Sequence, residues 1–142
     1  MAFEAAFESG LYAALAASTA LTSLLSGGTA SPSIYNTQAP QGAAPPYVVF
    51  NQQSGNTVYT LTGVAYDDVE YQVQAITTGP SMASASAIQA AFDAVLNDGT
   101  VAASGYGVMY LRRRARVSYA ETVDGQRYNH RGHVYRVMAD PA

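Results

Sequence analysis

The side chains able to do chemistry are few, and they are badly spaced for it. His130 and His133 are the two histidines of the 142-residue chain, and there is no cysteine. On a strand, residues three apart point to opposite faces, so this pair cannot grip one metal ion without a bulge. The absence of cysteine excludes disulfides and thiolate metal sites and leaves the redox compartment open. Asp67 and Asp68 are adjacent and diverge on a strand, which makes a poor acid–base pair. Ser26-Gly27-Gly28 follows a helical pattern instead of standing between a strand and a helix, the wrong context for a phosphate-cradling loop. No G-x-S-x-G nucleophile elbow occurs. The sequence therefore predicts a protein that is not an enzyme and needs no metal or cofactor.

What it does carry is an uneven charge. The formal net charge is −3, yet residues 1–111 carry −7 and residues 112–142 carry +4, seven arginines against Glu121, Asp124 and Asp140. Lysine is absent, and no charged residue stands between Glu8 and Asp67. Arg112, Arg113, Arg114, Arg116 and Arg131, with Tyr110 and Tyr119 nearby, have the makings of a phosphate-backbone contact. A pI near 5.1 is far below that of a dedicated nucleic-acid binder. Two readings remain: a solvated sheet face, or a charged surface that meets a partner or a neighbouring copy. Eleven tyrosines mildly favour the second, because tyrosine covers area while keeping a polar tip.

The elements that position these residues follow from periodicity. The length suits a single domain over residues 1–142. Phe3, Phe7, Leu11 and Leu15 recur every fourth position, and Leu21, Leu24 and Leu25 continue the stripe, so the spacing predicts one helix over residues 3–25, closed by Gly27-Gly28. Residues 26–46 are rich in Gly, Ser, Thr, Ala and Pro and predict a long loop whose one apolar anchor is Ile34-Tyr35. Pro45-Pro46 bars helix, and Tyr47-Val48-Val49-Phe50 begins a strand that runs to about Gln52. Ser54-Gly55-Asn56 reads as a turn, and Val58–Val64 as a second, weaker strand. In Asp68–Thr77 the apolar Val69, Tyr71, Val73 and Ala75 alternate with Asp68, Glu70, Gln72 and Gln74. Ser81 is the expected N-cap of a helix over about 82–97, with Ala85, Ile88, Phe92, Val95 and Leu96 on its stripe and Gly99 as its stop. Glu4 and Glu8 stand where a signal peptide would be basic, and Ser, Thr and Gly dilute the start too much for a membrane span, so a soluble protein is expected. The fold class predicted is α+β: a mixed or antiparallel sheet with both helices on one face and a C-terminal β-hairpin.

That hairpin is the clearest local signal. Asp124-Gly125 between two alternating runs marks a two-residue turn, which sets Val123 opposite Gln126. Continuing the register puts Leu111 with Met138, Ala115 with Val134 and Tyr119 with His130 on the face suited to the core. Arg112 with Val137, Arg114 with Tyr135, Arg116 with His133 and Ser118 with Arg131 then form a basic stripe on the other face. The scheme sets Arg113 against Arg136, which like-charge repulsion disfavours. Either the pair lies beyond the core's edge or a bulge near Gly132 shifts the register. Asp68, Glu70, Gln72 and Gln74 are the complement of the basic stripe, within one sheet or across subunits.

Several of these segments together resemble the tail completion, or tail terminator, proteins of long-tailed bacteriophages. They are the helix with Leu11, Leu15, Leu21 and Leu24; Ile34-Tyr35-Asn36; Ala39-Pro40-Gln41-Gly42 leading to Pro46-Tyr47-Val48-Val49; the Tyr71-Gln72-Val73-Gln74 strand; the Ala-rich helix ending at Leu96; and the closing Arg/Tyr hairpin. The resemblance implies a small α+β subunit of the virion that forms a ring, typically hexameric, made in the host cytoplasm and placed at the head-proximal end of the tail. Such a ring caps the tail tube, stops its polymerisation and offers a surface to the neck or head-completion protein, while DNA passes through its lumen without specific binding and no membrane is involved. Arg112, Arg114, Arg116, Arg131, Asp68, Glu70, Tyr35 and Tyr47 are the expected interface residues. A neck or head-closure ring protein of the same particle is the alternative, and a small nucleic-acid-binding module using the arginine hairpin is a third reading.

Overall fold

A computed structural model describes residues 2–141. Three helices and five strands follow in the order α1 (Phe3–Ala16), α2 (Thr19–Thr22), β1 (Ile34–Asn36), β2 (Tyr47–Thr60), β3 (Gly63–Thr78), α3 (Ala83–Leu96), β4 (Tyr106–Val123) and β5 (Gln126–Pro141). The strands form one sheet in the order β1-β2-β3-β5-β4. β1 runs parallel to β2, and every other pairing is antiparallel. The sheet is mixed, the fold is α+β, and the helices cover one of its faces, as the pattern predicts.

The core lies between that face and the helices. Phe7, Leu11 and Leu15 of α1 and Ile88, Phe92 and Leu96 of α3 are buried against Val69, Tyr71 and Val73 of β3 and Tyr135 and Val137 of β5. The expected helix over residues 3–25 is two helices. The chain turns at Ala17, and the Ser18 hydroxyl accepts from the Leu21 N–H to start α2. Leu21 and Leu25 are buried all the same. Residues 26–46 are pinned: the Ser26 N–H donates to the Pro46 carbonyl, its hydroxyl to the Ala44 carbonyl, and Ile34–Asn36 joins the sheet as an edge. The N-cap of α3 is Met82, one residue past the expected Ser81, whose hydroxyl still accepts from the Ala83 N–H at 3.1 Å.

Two readings of the strands need correction. Ser54-Gly55-Asn56 is not a turn. β2 passes straight through it, with one extra residue between Gln52 and Ser54, and the chain reverses at Leu61-Thr62. The predicted strand Val58–Val64 is instead the tip of one long hairpin. In the C-terminal hairpin the register holds from Val123–Gln126 to Ala115–Val134. An extra residue at Arg114 then shifts it, so Leu111 faces Val137 and Arg112 faces Arg136. The bulge is at Arg114 of β4, not near Gly132, and it exchanges the Arg113–Arg136 opposition for one of Arg112 with Arg136 at the sheet's edge strand. Gly132 lies in regular ladder between Gln74 and Val117, and a Cβ there would stand 2.0 Å from the Val73 carbonyl oxygen, so glycine is required.

The assignment of faces is also reversed along β5 and in β4 from Ala115 onward, whereas Leu111, before the bulge, is buried on the core side as expected. β5 takes its facing from β3, where Val69, Tyr71 and Val73 look toward the helices, so their partners Val137, Tyr135 and His133 do as well. Ala115, Val134, Met138, Tyr119 and His130 occupy the face away from the helices, and Arg116, Ser118 and Arg131 flank α3.

Candidate functional site

On the face away from the helices, alternation in β3 displays Asp68, Glu70, Gln72 and Gln74. β5 sets Arg136 opposite Glu70 and lets its guanidinium fork onto Asp68, Nε donating to Oδ1 at 3.0 Å and Nη2 to Oδ2 at 2.7 Å. That hydrogen bond holds the Asp68 carboxyl below the usual range, and it holds the Arg136 guanidinium still more firmly protonated. The bulge aims Arg114 across the sheet, where Nη1 donates to Glu70 Oε2 at 3.2 Å. The Tyr110 ring sits between two guanidinium groups, 5.2 Å from that of Arg112 and 5.9 Å from that of Arg136. Arg112 itself pairs with Asp98 at the sheet's edge. Asp68, Glu70 and Arg114 are therefore brought together, and their charges answer one another within a single chain.

On the helix side, Asp93 of α3 gathers three partners. Arg113 Nη1 donates to Oδ2 at 2.8 Å, the Tyr135 hydroxyl to Oδ1 at 2.7 Å, and His133 Nε2 lies 3.8 Å from Oδ1. Burial pushes the Tyr135 phenol far up and the His133 imidazole down. Asp93 and Arg136 were not singled out from sequence. Asp93 follows Phe92 directly on the helical stripe, and that adjacency is the signal that would have found it. Arg131 donates to the Ser86 hydroxyl at 2.7 Å and to Ser118, and it shares a shallow hollow with Arg116 and Gln89. Among the described residues, no carboxylate lies within ion-pair distance of Arg116, Arg127 or Arg131. The eight expected interface residues thus divide into three groups. Arg112, Arg114, Asp68 and Glu70 are paired within the chain, Arg116 and Arg131 lack a carboxylate, and Tyr35 and Tyr47 lie at the far edge.

Tyr35 and Tyr47 meet edge to face with centroids 5.8 Å apart. Tyr47 borders a recess formed by Pro40, Gly42, Tyr128 and His130, and burial raises its phenol pKa. His130 stacks on Tyr119 at 4.3 Å, and its Nε2 contacts Glu121 Oε1 at 2.8 Å. His130 and His133 face opposite sides of the sheet, as residues three apart must. Among the described residues, no three His, Asp or Glu side chains gather as a metal site, and no helix is long and apolar enough to cross a membrane.

The geometry defines a class first: a small α+β subunit whose polar groups are invested in packing and in its surfaces. Its fold is found in a solved chain described as "Virion of native gene transfer agent (GTA) particle", at a TM-score of 0.75 and 21% identity over 97% of both chains. The sequence pattern of the tail completion protein gp17 family matches residues 9–138, and the chain belongs to that family. It is a structural tail-completion protein of a phage-type virion. No curated protein sequence matches it.

Proposed function

We propose that this protein is the tail terminator: copies close into a ring of six, cap the tail tube, end its polymerisation and offer the head-joining surface. One observation carries the reading. The sheet's two edges differ in character: the β4 edge is lined by Arg112, Arg113, Arg114 and Arg116, whereas the β1/β2 edge carries no charge from Ile34 to Tyr66. Unlike edges on one chain favour head-to-tail contact over a two-fold dimer, and head-to-tail contact closes rings when the rotation allows. Arg116, Arg127 and Arg131 add cations with no carboxylate partner among the described residues. The arginines paired with Asp68, Glu70, Asp93 and Asp98 are not displayed as a phosphate-binding row, which speaks against the nucleic-acid module. In this reading the ring stands at the head-proximal end of the tail, assembles in the host cytoplasm, contacts the tube protein on one side and the neck protein on the other, and lets DNA through its lumen.

Light scattering coupled to size exclusion tests ring formation, alone and with purified tail tubes. Electron microscopy of particles made without the protein tests the role. Overlong or unjoined tails are the expected result. Full heads that leak DNA would replace the terminator reading with that of a head-closure protein. A stable monomer with tight, steeply salt-dependent DNA binding would overturn both.

A further inference from the structure

The β2–β3 hairpin runs on past the sheet. Asp67 pairs with Ala139 of β5 on one side and Thr57 on the other, but Val58–Thr60 and Gly63–Tyr66 pair only with each other, so the hairpin projects as a free two-stranded arm. Residues 54–66 contain no charged side chain. Tyr59 is 71% exposed, its cross-strand partner Val64 43%, and Leu61, in the turn, fully so at 107%. A two-residue hairpin turn favours Asn, Asp or Gly, so Leu61 serves no folding purpose there. Beyond Asn51 the outer edge of β2 has no strand beside it, and no charge guards it, the arrangement that invites association.

The same chain carries a matching receptacle. Where α1 crosses β1, a hollow of about 530 Å³ opens between Tyr12, Ile34, Tyr35 and Phe50. Its one carboxylate, Glu8, is already engaged: Oε1 accepts from Asn36 Nδ2 and Oε2 from the Tyr71 hydroxyl, each at 2.7 Å. The hollow therefore offers an uncharged arm a mixed wall, Tyr12 and Tyr35 beside the neutral Ser9, Asn36 and Gln38, with no unanswered charge. A chain cannot fill its own. Leu61 lies eleven residues beyond Phe50 along a paired strand, on the order of 35 Å away at the rise of extended chain, and the ladder holds it straight.

We propose that the arm tip, Tyr59–Val64, seats in the α1/β1 hollow of a second copy of this chain. Each copy then gives one arm and receives one, so every arm has a hollow and the contact is head-to-tail. The inference rests on the ring reading above and names the contact that builds it.

The chain's lack of cysteine and tryptophan makes a photo-crosslinking residue at position 61 simple to follow. Purified full-length protein and protein bound to tail tubes are irradiated, and the linked peptides are identified by mass spectrometry. The expected links run from position 61 to residues 5–12 or 34–38 of another copy. Leu61→Asp is expected to weaken self-association at least about tenfold, a hot-spot loss, while the circular dichroism of the monomer stays unchanged. Tyr12→Asp, on the receiving side, is expected to do the same. If wild-type rings form and the links fall on the tube protein or on another face of the chain, the arm's assignment is overturned and the ring reading stands. If wild-type protein assembles neither alone nor on tubes, both are overturned.

Discussion

The two long hairpins of this sheet are built to opposite specifications. The β4–β5 hairpin lies along the sheet body, and its helix-facing side packs on α3 through Tyr135, His133 and Arg131. Its arginines reach Asp98, Asp93, Glu70 and Asp68. The β2–β3 arm has neither charges nor a covering layer beyond Asp67. One hairpin is tied into the fold from both faces; the other is left bare at its end. The difference teaches that four of the hairpin's arginines are spent on internal order, while the neutral stretch takes no part in it.

The sharpest test substitutes a glycine in each hairpin. Gly132→Ala sets a Cβ 2.0 Å from the Val73 carbonyl and 2.6 Å from Gln74 Cα, so β3 and β5 cannot close. A loss above about 4 kcal/mol is expected, measured by chemical denaturation. Gly55→Ala meets the flexible end of Gln52 at 2.8 Å and Val69 at 3.0 Å, and the expected loss is below about 1 kcal/mol. Equal losses would erase the contrast. Next in size is Phe92→Ala beneath the β5 face, expected to cost about 3–5 kcal/mol as a core truncation.

Acid sharpens the comparison from another side. Burial keeps His133 neutral in the fold, so the unfolded chain binds a proton more readily. Stability from this residue is present above the unfolded value near pH 6.5 and is lost as pH falls below it. Denaturation at pH 7.5 and 5.5 is expected to show a smaller drop for His133→Gln than for wild type. Asp68, with its folded pKa lowered, loses its contribution only on further acidification, below about pH 4. Smaller still is Arg136→Met. The Arg136 side chain is 43% exposed, so breaking its solvent-screened pair with Asp68 is expected to move the denaturation midpoint far less than Phe92→Ala does. Tyr59→Ser in the arm is expected to change monomer stability by less than about 0.5 kcal/mol.

Sequence patterning exposed some of this and hid the rest for physical reasons. The C-terminal turn was legible because Asp124 and Gly125 both take positive φ, which few residue pairs allow. Its register was legible as far as Ala115, where pairing needs only counting. The bulge at Arg114 was not, because an extra residue follows from where the guanidinium finds Glu70, a contact that depends on β3. The face of β5 was misread for a related reason: Val134 and Met138 look as apolar as Val137, and only β3 decides between them. Ser54-Gly55-Asn56 has turn composition, yet pairing to Glu70, Val69 and Asp68 overrides it. Of the expected interface residues, the acid–base complementarity of Asp68 and Glu70 with the arginine strand was readable. That Arg136, outside the expected basic stripe, would answer Asp68 was not.

The extra residue at position 114 has one more consequence. With the bulge in place, the three consecutive arginines Arg112, Arg113 and Arg114 fan out to the loop after α3, to α3 itself and, across β5, to Glu70 of β3. A run that looks redundant on paper is three separate rivets. Deleting a single codon there would not shorten the run so much as re-aim it, trading one fastening for another along the whole strand.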